Sequence, residues 1–248
     1  MVKVKKILRI VSCVLSLMLV YAYLCFVFIP KDVSDWGGDK YYHAKGFIGE
    51  PDDSLDIIMF GHSGVYSGFS PVTLYKEYGY TSYASSTASQ PIKKINDLLE
   101  KAVKRQKLKV VFFFFVCLYV RFPLIRYYDS LFAPFVFQAR WKNLKHRDFY
   151  LAPGVRTQDV TKGYKFSAEI SGYQPGEYMG KADAKPAAPK KVHLSGLNRF
   201  VKICRKNDIQ IVFSEFANAT SWSYARHNFI QQYADAHGIH LVRRMSGG

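Results

Sequence analysis

Apolar and polar positions divide the 248-residue chain into one long uncharged run and a series of short ones. Residues 10–29, IVSCVLSLMLVYAYLCFVFI, carry no charge. As a helix this run is about 30 Å long, enough to cross a hydrocarbon core. Short, largely apolar runs follow at 55–60, 109–116, 209–213 and 239–242. Such runs read as strands buried on both faces of a parallel sheet. Between them the apolar residues recur at helical spacing. Ile92, Ile95, Leu98, Leu99, Ala102 and Val103 form one stripe, and Leu194, Leu197, Val201 and Cys204 a second. A third helix spans 222–236 with Phe229, Ile230, Tyr233 and Ala234 on its apolar side and Gly238 closing it. Ser70 and Pro71 predict the capped start of a further helix over 72–78, stopped at Gly79. Residues 81–90 read as a short strand entering a loop of small residues. This alternation predicts an α/β fold, a mostly parallel sheet with helices on both faces.

The polar stretches set the organisation. Lys3, Lys5, Lys6 and Arg9 precede the long run, and Asp32 and Asp35 follow it among mixed charge. The positive-inside rule then places residues 1–9 in the cytoplasm, 10–29 in the membrane as a single-pass anchor, and the rest outside. A cleavable signal peptide is the competing reading. However, no small-x-small cleavage box follows the run, and AYL before Cys25 is a poor lipoprotein signal. Residues 30–54 read as a stalk or lead-in loop, and 55–248 as the α/β domain. Within it, 120–192 is a variable segment: FAPFVFQARW either packs on the rim or touches the membrane, and KADAKPAAPKK is a mobile loop by composition. The run from Lys109 to Val120 is too short for a second span.

Composition narrows the function classes. Hydrophobic residues make up 49% and aromatics 16%, ample for a sizeable core and contrary to disorder. Lysine and arginine number 35 against 19 acidic residues, a net charge of +16. A surface so basic suits an anionic membrane surface or anionic polymer. The basic residues are scattered and no nucleic-acid module surrounds them, so nucleic acid is not an expected partner. Cys13, Cys25, Cys117 and Cys204 form neither a CxxC pair nor a disulfide framework, and no cofactor or metal motif is present.

Candidate chemistry gathers at LDIIMFGHSGVYSGFSP. The strand ends at Gly61 and Ser63 follows, at the carboxyl edge where open α/β folds place their chemistry. Ser63 is either a nucleophile or the cap of a turn. A nucleophile needs a base: His62 is adjacent, though in extended backbone it points elsewhere and reads first as an exposed turn residue, and His193 sits at a helix entrance. His227 lies inside the last helix as a packing or surface residue. The G-x-S-x-G elbow fails because Val65 stands in place of its last glycine. Oxyanion or substrate-contact candidates are the backbone N–H groups near Ser63 and Gly64, together with Gln90, which alternatively caps the turn before Pro91.

These residues carry a resemblance. FGHSGVYSGFSP, EYGYTSYASSTASQPI and SEFANATSWSYARHNFIQQYADAHGIHL resemble bacterial membrane-anchored SGNH/GDSL-like hydrolases. More narrowly, they resemble the group related to the D-alanyl-lipoteichoic acid biosynthesis protein DltD. That family usually reads G-S-S-H after its first strand, so the resemblance puts Ser63 on the nucleophile and Gly64 in place of the histidine. Its small-residue loop ahead of QP usually contains glycines, where this chain has residues 84–89. The resemblance implies a three-layer α/β/α sandwich outside the membrane. It also implies serine-dependent hydrolysis or transfer of acyl esters on cell-envelope polymers or glycans, beside a multi-span membrane acyltransferase. The family's Asp and His lie in a D-x-x-H block beyond the last strand, which this sequence does not reach. The expectation is therefore a C-terminally truncated copy with impaired activity. The alternative is a non-catalytic anchored protein that binds anionic envelope polymer.

Overall fold

The structure, a computed structural model, describes residues 2–88, 90–121, 123–166, 179–215 and 222–242. Ser89 of the small-residue loop, 216–221 of the third resemblance block and 243–248, on which the expected truncation turns, lie outside the described residues. In chain order the helices and strands are α1 (Val2–Phe28), α2 (Gly38–Tyr42), β1 (Ile57–Gly61), α3 (Ser63–Gly68), α4 (Pro71–Tyr78), β2 (Ser82–Ser86) and α5 (Ile92–Ala102). There follow β3 (Val110–Phe114), α6 (Leu124–Tyr127), α7 (Ala133–Val136), α8 (Lys191–Lys206), β4 (Gln210–Ser214), α9 (Tyr224–His237) and β5 (His240–Leu241). The chain forms two compact units, Met1–Tyr42 with Pro123–Thr157, and His43–Phe122 with Gln158–Gly248.

The larger unit holds one five-stranded sheet in the order β2-β1-β3-β4-β5, every pair parallel. Side chains alternate between its faces, as a period of two requires. Ile58, Phe60, Val111, Phe113, Ile211 and Phe213 point to one face, where Ile92, Ile95 and Leu99 of α5, Leu197 and Phe200 of α8, and Ile230 and Tyr233 of α9 cover them. Phe200 is the hinge of that packing, its ring 4.7 Å from Phe113 and 6.1 Å from Phe60. Ile57, Met59, Ala84 and Phe114 point to the other face, against Val65 of α3 and Leu74 of α4. The result is an α/β/α sandwich. Each buried Phe or Ile of these strands contributes about 1.5–3 kcal/mol relative to exposure, which is why the strands need no polar face.

The expected elements sit where the pattern placed them. Ser70 Oγ accepts from the Thr73 N–H, Pro71 opens α4, and Gly79 ends it at φ +75°, a conformation that suits glycine. Strand β3 is shorter than its apolar run: after Phe114 the chain turns into a 3-10 segment, Phe115–Leu118, that stays buried.

The smaller unit is built on α1, at 27 residues about 40 Å long. It is the one helix among the described residues long and apolar enough to cross a membrane, with mean hydropathy 2.4. Cys25 and Ile29 pack with Ala133 and Phe137. Beyond Pro30, Lys31, Asp32 and Asp35 are buried. Asp32 accepts from Thr157 Oγ1 at 2.6 Å, Asp35 pairs with Arg147, and Arg140 pairs with Asp148 at 2.8 Å.

Candidate active site

Chain direction along the sheet reverses once. From β1 the chain moves one way, to β2; every later crossover moves the other way, to β3, β4 and β5. The point of reversal lies between β1 and β3, and crevices at such points are where open α/β sheets bind ligands. The residues that leave β1, β3 and β4 at their carboxyl ends meet there.

Gly61 ends β1 because nothing larger fits. A Cβ at this position would stand 2.6 Å from Val65 Cγ2 and 2.7 Å from Phe114 Cβ. His62 then adopts extended backbone and caps α3, its Nδ1 accepting from the Gly64 N–H at 3.2 Å. Because Nδ1 accepts, the neutral ring carries its proton on Nε2. That nitrogen lies 2.9 Å from Glu215 Oε1 and donates to it. Glu215 is the first residue past β4, and its side chain is 3% exposed. Its other oxygen accepts from the Val116 N–H at 2.9 Å, in the 3-10 segment that follows β3. One carboxylate thus ties together the exits of three adjacent strands.

Ser63 is the first residue of α3 and half-buried, directly after the histidine. Gly64 is engaged: its N–H goes to the His62 ring. Gln90 is buried and holds its own loop, donating to the Ser85 carbonyl at 3.3 Å and accepting from Thr87 Oγ1 at 3.1 Å. His193 is buried at the start of α8, its Nδ1 2.6 Å from the Leu118 carbonyl, so that nitrogen carries a proton and donates. The structure therefore joins His62 to Glu215 and to the Gly64 N–H, sets Ser63 next to that histidine at the start of α3, and ties Gln90 and His193 to backbone carbonyls. Two further groups adjoin the edge. Ser86 faces Gly61 in register, and its buried Oγ has no hydrogen-bond partner among the described residues. Burial, reinforced by the Glu215 carboxylate, pushes the Cys117 thiol far above its ordinary range, so this cysteine stays a neutral thiol. Among the described residues no three His, Cys, Asp or Glu side chains cluster to hold a metal.

Glu215 is the member that sequence reasoning missed. Its one signal was position: a carboxylate immediately after an apolar strand run, at the same sheet edge as Ser63.

No family model and no curated protein sequence matches the chain. Among solved structures it is similar to a candidate acylhydrolase from Bacteroides fragilis, with 12% identity and a TM-score of 0.37. The likeness covers 84% of this chain and 77% of that one.

Proposed function

We propose that the chain is a membrane-anchored, serine-dependent esterase or O-acyltransferase, with Ser63 as nucleophile, His62 as base and Glu215 orienting the base. The observation that carries this reading is the 2.9 Å contact between Glu215 and His62 Nε2 beside Ser63. A carboxylate on one ring nitrogen fixes the tautomer and leaves the other nitrogen basic, which is the division of labour a Ser–His–acid triad needs. Here the basic nitrogen is Nδ1, and in the resting site it is occupied by the Gly64 N–H. In this reading the ring turns about its Glu215 contact and exchanges that N–H for the Ser63 hydroxyl. As Ser63 Oγ bonds to the acyl carbonyl carbon, its proton passes to Nδ1 and the imidazolium is held by Glu215. The freed Gly64 N–H, with that of Ser63, is then available to the oxyanion. Collapse of the tetrahedral intermediate expels the alcohol, which takes the proton back from Nδ1. Water or a second hydroxyl then removes the acyl group by the same steps.

The substrate class in this reading is an acyl ester on a cell-envelope polymer or glycan. Its support is the sequence resemblance to the DltD-related group, the net charge of +16 and an N-terminal helix able to anchor the chain with its basic end in the cytoplasm. The occupied Nδ1 favours a second reading, a non-catalytic protein that binds anionic envelope polymer. Fluorophosphonate labelling of the full-length protein in detergent separates the two. Labelling lost in Ser63→Ala and in His62→Ala supports the enzyme. A folded chain that stays unlabelled, yet binds anionic polymer in a salt-sensitive way after Ser63→Ala, supports the second.

A further inference from the structure

Within the smaller unit, the segment from Asp129 to Tyr150 is wrapped around the distal end of α1, and three hydrogen bonds fix its depth. Tyr21 Oη and Cys25 Sγ both donate to the Leu131 carbonyl, at 2.7 and 3.4 Å, and Tyr23 Oη donates to the Phe149 carbonyl at 3.1 Å. Tyr21 and Cys25 lie seven and three residues before the end of the helix at Phe28. At 1.5 Å per residue, Leu131 is therefore held about 5–10 Å inside that end.

The side chains at this level are apolar and turned outward. Leu131 is 60% exposed, Phe135 64%, Trp141 64% and Tyr150 65%, with Phe149 and Val136 also exposed. A collar of this size left in water would be an unusual surface for a monomer. Of the charged groups in the same segment, three are drawn away from this surface, while Lys142, Lys145 and His146 stay exposed at its edge. Arg140, Arg147 and Asp148 turn inward to Asp35 and to one another, beyond Pro30 where the uncharged run has ended. Lys142 Nζ lies 5.5 Å from the Trp141 ring centroid, and tryptophan beside lysine is the pairing that membrane–water interfaces favour.

We propose that residues 129–150 form a second membrane contact, a collar around α1 that seats Leu131, Phe135, Trp141, Phe149 and Tyr150 among the lipid headgroups and upper acyl chains. The occupant of this surface is the bilayer, because the hydrogen bonds to Tyr21, Tyr23 and Cys25 carry the collar to the depth of the spanning helix. The proposal rests on reading α1 as a span and adds a contact that does not cross. Its short helical pieces make local backbone hydrogen bonds, and the Leu131 and Phe149 carbonyls accept from α1, which suits a segment lying in the interface.

The test uses the full-length protein in phosphatidylcholine–phosphatidylglycerol vesicles whose acyl chains carry bromine, which quenches tryptophan on contact. Trp36 is replaced by Phe, Trp222 is retained, and its emission, measured in a Trp36→Phe/Trp141→Phe chain, is subtracted. Three reporters are compared: native Trp141, Phe135→Trp in the chain lacking Trp36 and Trp141, and Leu17→Trp in that same chain as the control inside α1. Bromolipid is expected to reduce the emission of all three by roughly half or more, as burial at the acyl boundary implies. Quenching at position 17 but at neither 135 nor 141 would overturn the collar while leaving the span intact. Quenching at none of the three would overturn the span itself, and the collar with it.

Discussion

Glu215 Oε1 stands 2.9 Å from Nε2 of His62, across 153 residues of sequence. The contact joins the turn after β1 to the end of β4, and the second oxygen of the same carboxylate holds the Val116 N–H after β3. Glu215 therefore has two separable duties, one towards the histidine and one towards the backbone. Glu215→Gln keeps the shape but removes the charge that stabilises an imidazolium. Fluorophosphonate labelling of Ser63 is expected to slow by about 10³–10⁴-fold, with the fold retained. Glu215→Ala is expected to slow labelling as much and to cost about 1–3 kcal/mol of stability as well, because the Val116 N–H loses its acceptor. Labelling rates and urea denaturation of the two variants side by side measure both effects. Equal labelling in wild type and Glu215→Gln would leave the carboxylate a structural tie alone.

Gly61 is a steric requirement of the same turn. An alanine here must displace Val65 on α3 or Phe114 on β3, both within 2.7 Å of the added Cβ. Overpacking of this kind costs about 1–3 kcal/mol. Val65 is in the first turn of α3, with Ser63 and Gly64, so Gly61→Ala is expected to lower both the denaturation midpoint and the rate of Ser63 labelling. Loss of stability with an unchanged labelling rate would show that the turn adjusts without moving Ser63.

The sheet was legible because its strands are apolar on both faces. Ile57–Gly61 and the core of 109–116 are runs that water cannot tolerate on either side, and α5 and α8 show their stripes plainly. Caps at Ser70 and Gly79 are local chemistry and were read as such. The candidate site was only half legible. Ser63 and His62 announce themselves by following a strand, but Glu215 looks like any surface carboxylate until β4 is laid beside β3. The stretch after the long run was opaque for the same reason. Lys31, Asp32 and Asp35 have the composition of an exposed stalk, and they are buried because Arg147, Arg156 and Thr157, more than a hundred residues away, supply their partners. Pairing between distant polar residues leaves no periodicity.

Lys31 gives this unit a pH signature. Burial lowers its amine from the ordinary 10.5 to about 8, with nearby Asp148 and Asp35 only partly offsetting the effect. Between about 8 and 10.5 the unfolded chain binds a proton at Lys31 that the folded chain has released, so the contribution of this group to stability rises with pH across that window. Below it both states carry the charge and the slope vanishes. The buried thiols of Cys117 and Cys204, raised from their ordinary 9.0, oppose this above pH 9, and the buried Tyr41 hydroxyl, raised to about 12, opposes it above its ordinary 10.0, so the clean range is about pH 8 to 9. Thermal unfolding in detergent is expected to move to higher temperature over that range in wild type, and the rise is expected to disappear in Lys31→Met. An identical slope in the two proteins would refute the assignment.

Arg140 and Asp148 provide the sharpest energetic test of the smaller unit. Their side chains are 2% and 1% exposed, with Nη2 2.8 Å from Oδ1, and Asp35 lies 3.9 Å from the other guanidinium nitrogen. Removing one partner leaves a buried charge without its nearest counter-ion, at a cost of about 3–5 kcal/mol. Asp148→Asn is therefore expected to destabilise strongly, the more so because Asp148 also accepts the Lys145 N–H at 2.7 Å. Arg140→Met alone leaves Asp148 and Asp35 facing each other without their shared cation. In Arg140→Met/Asp148→Asn neither charge remains to be stranded. The double variant is expected to lose less than the sum of the singles, by about 0.5–3 kcal/mol. A denaturation cycle over the four proteins measures that difference. Simple additivity would mean that the pair does not interact, and that Asp35 and Asp148 are each held by their backbone contacts instead.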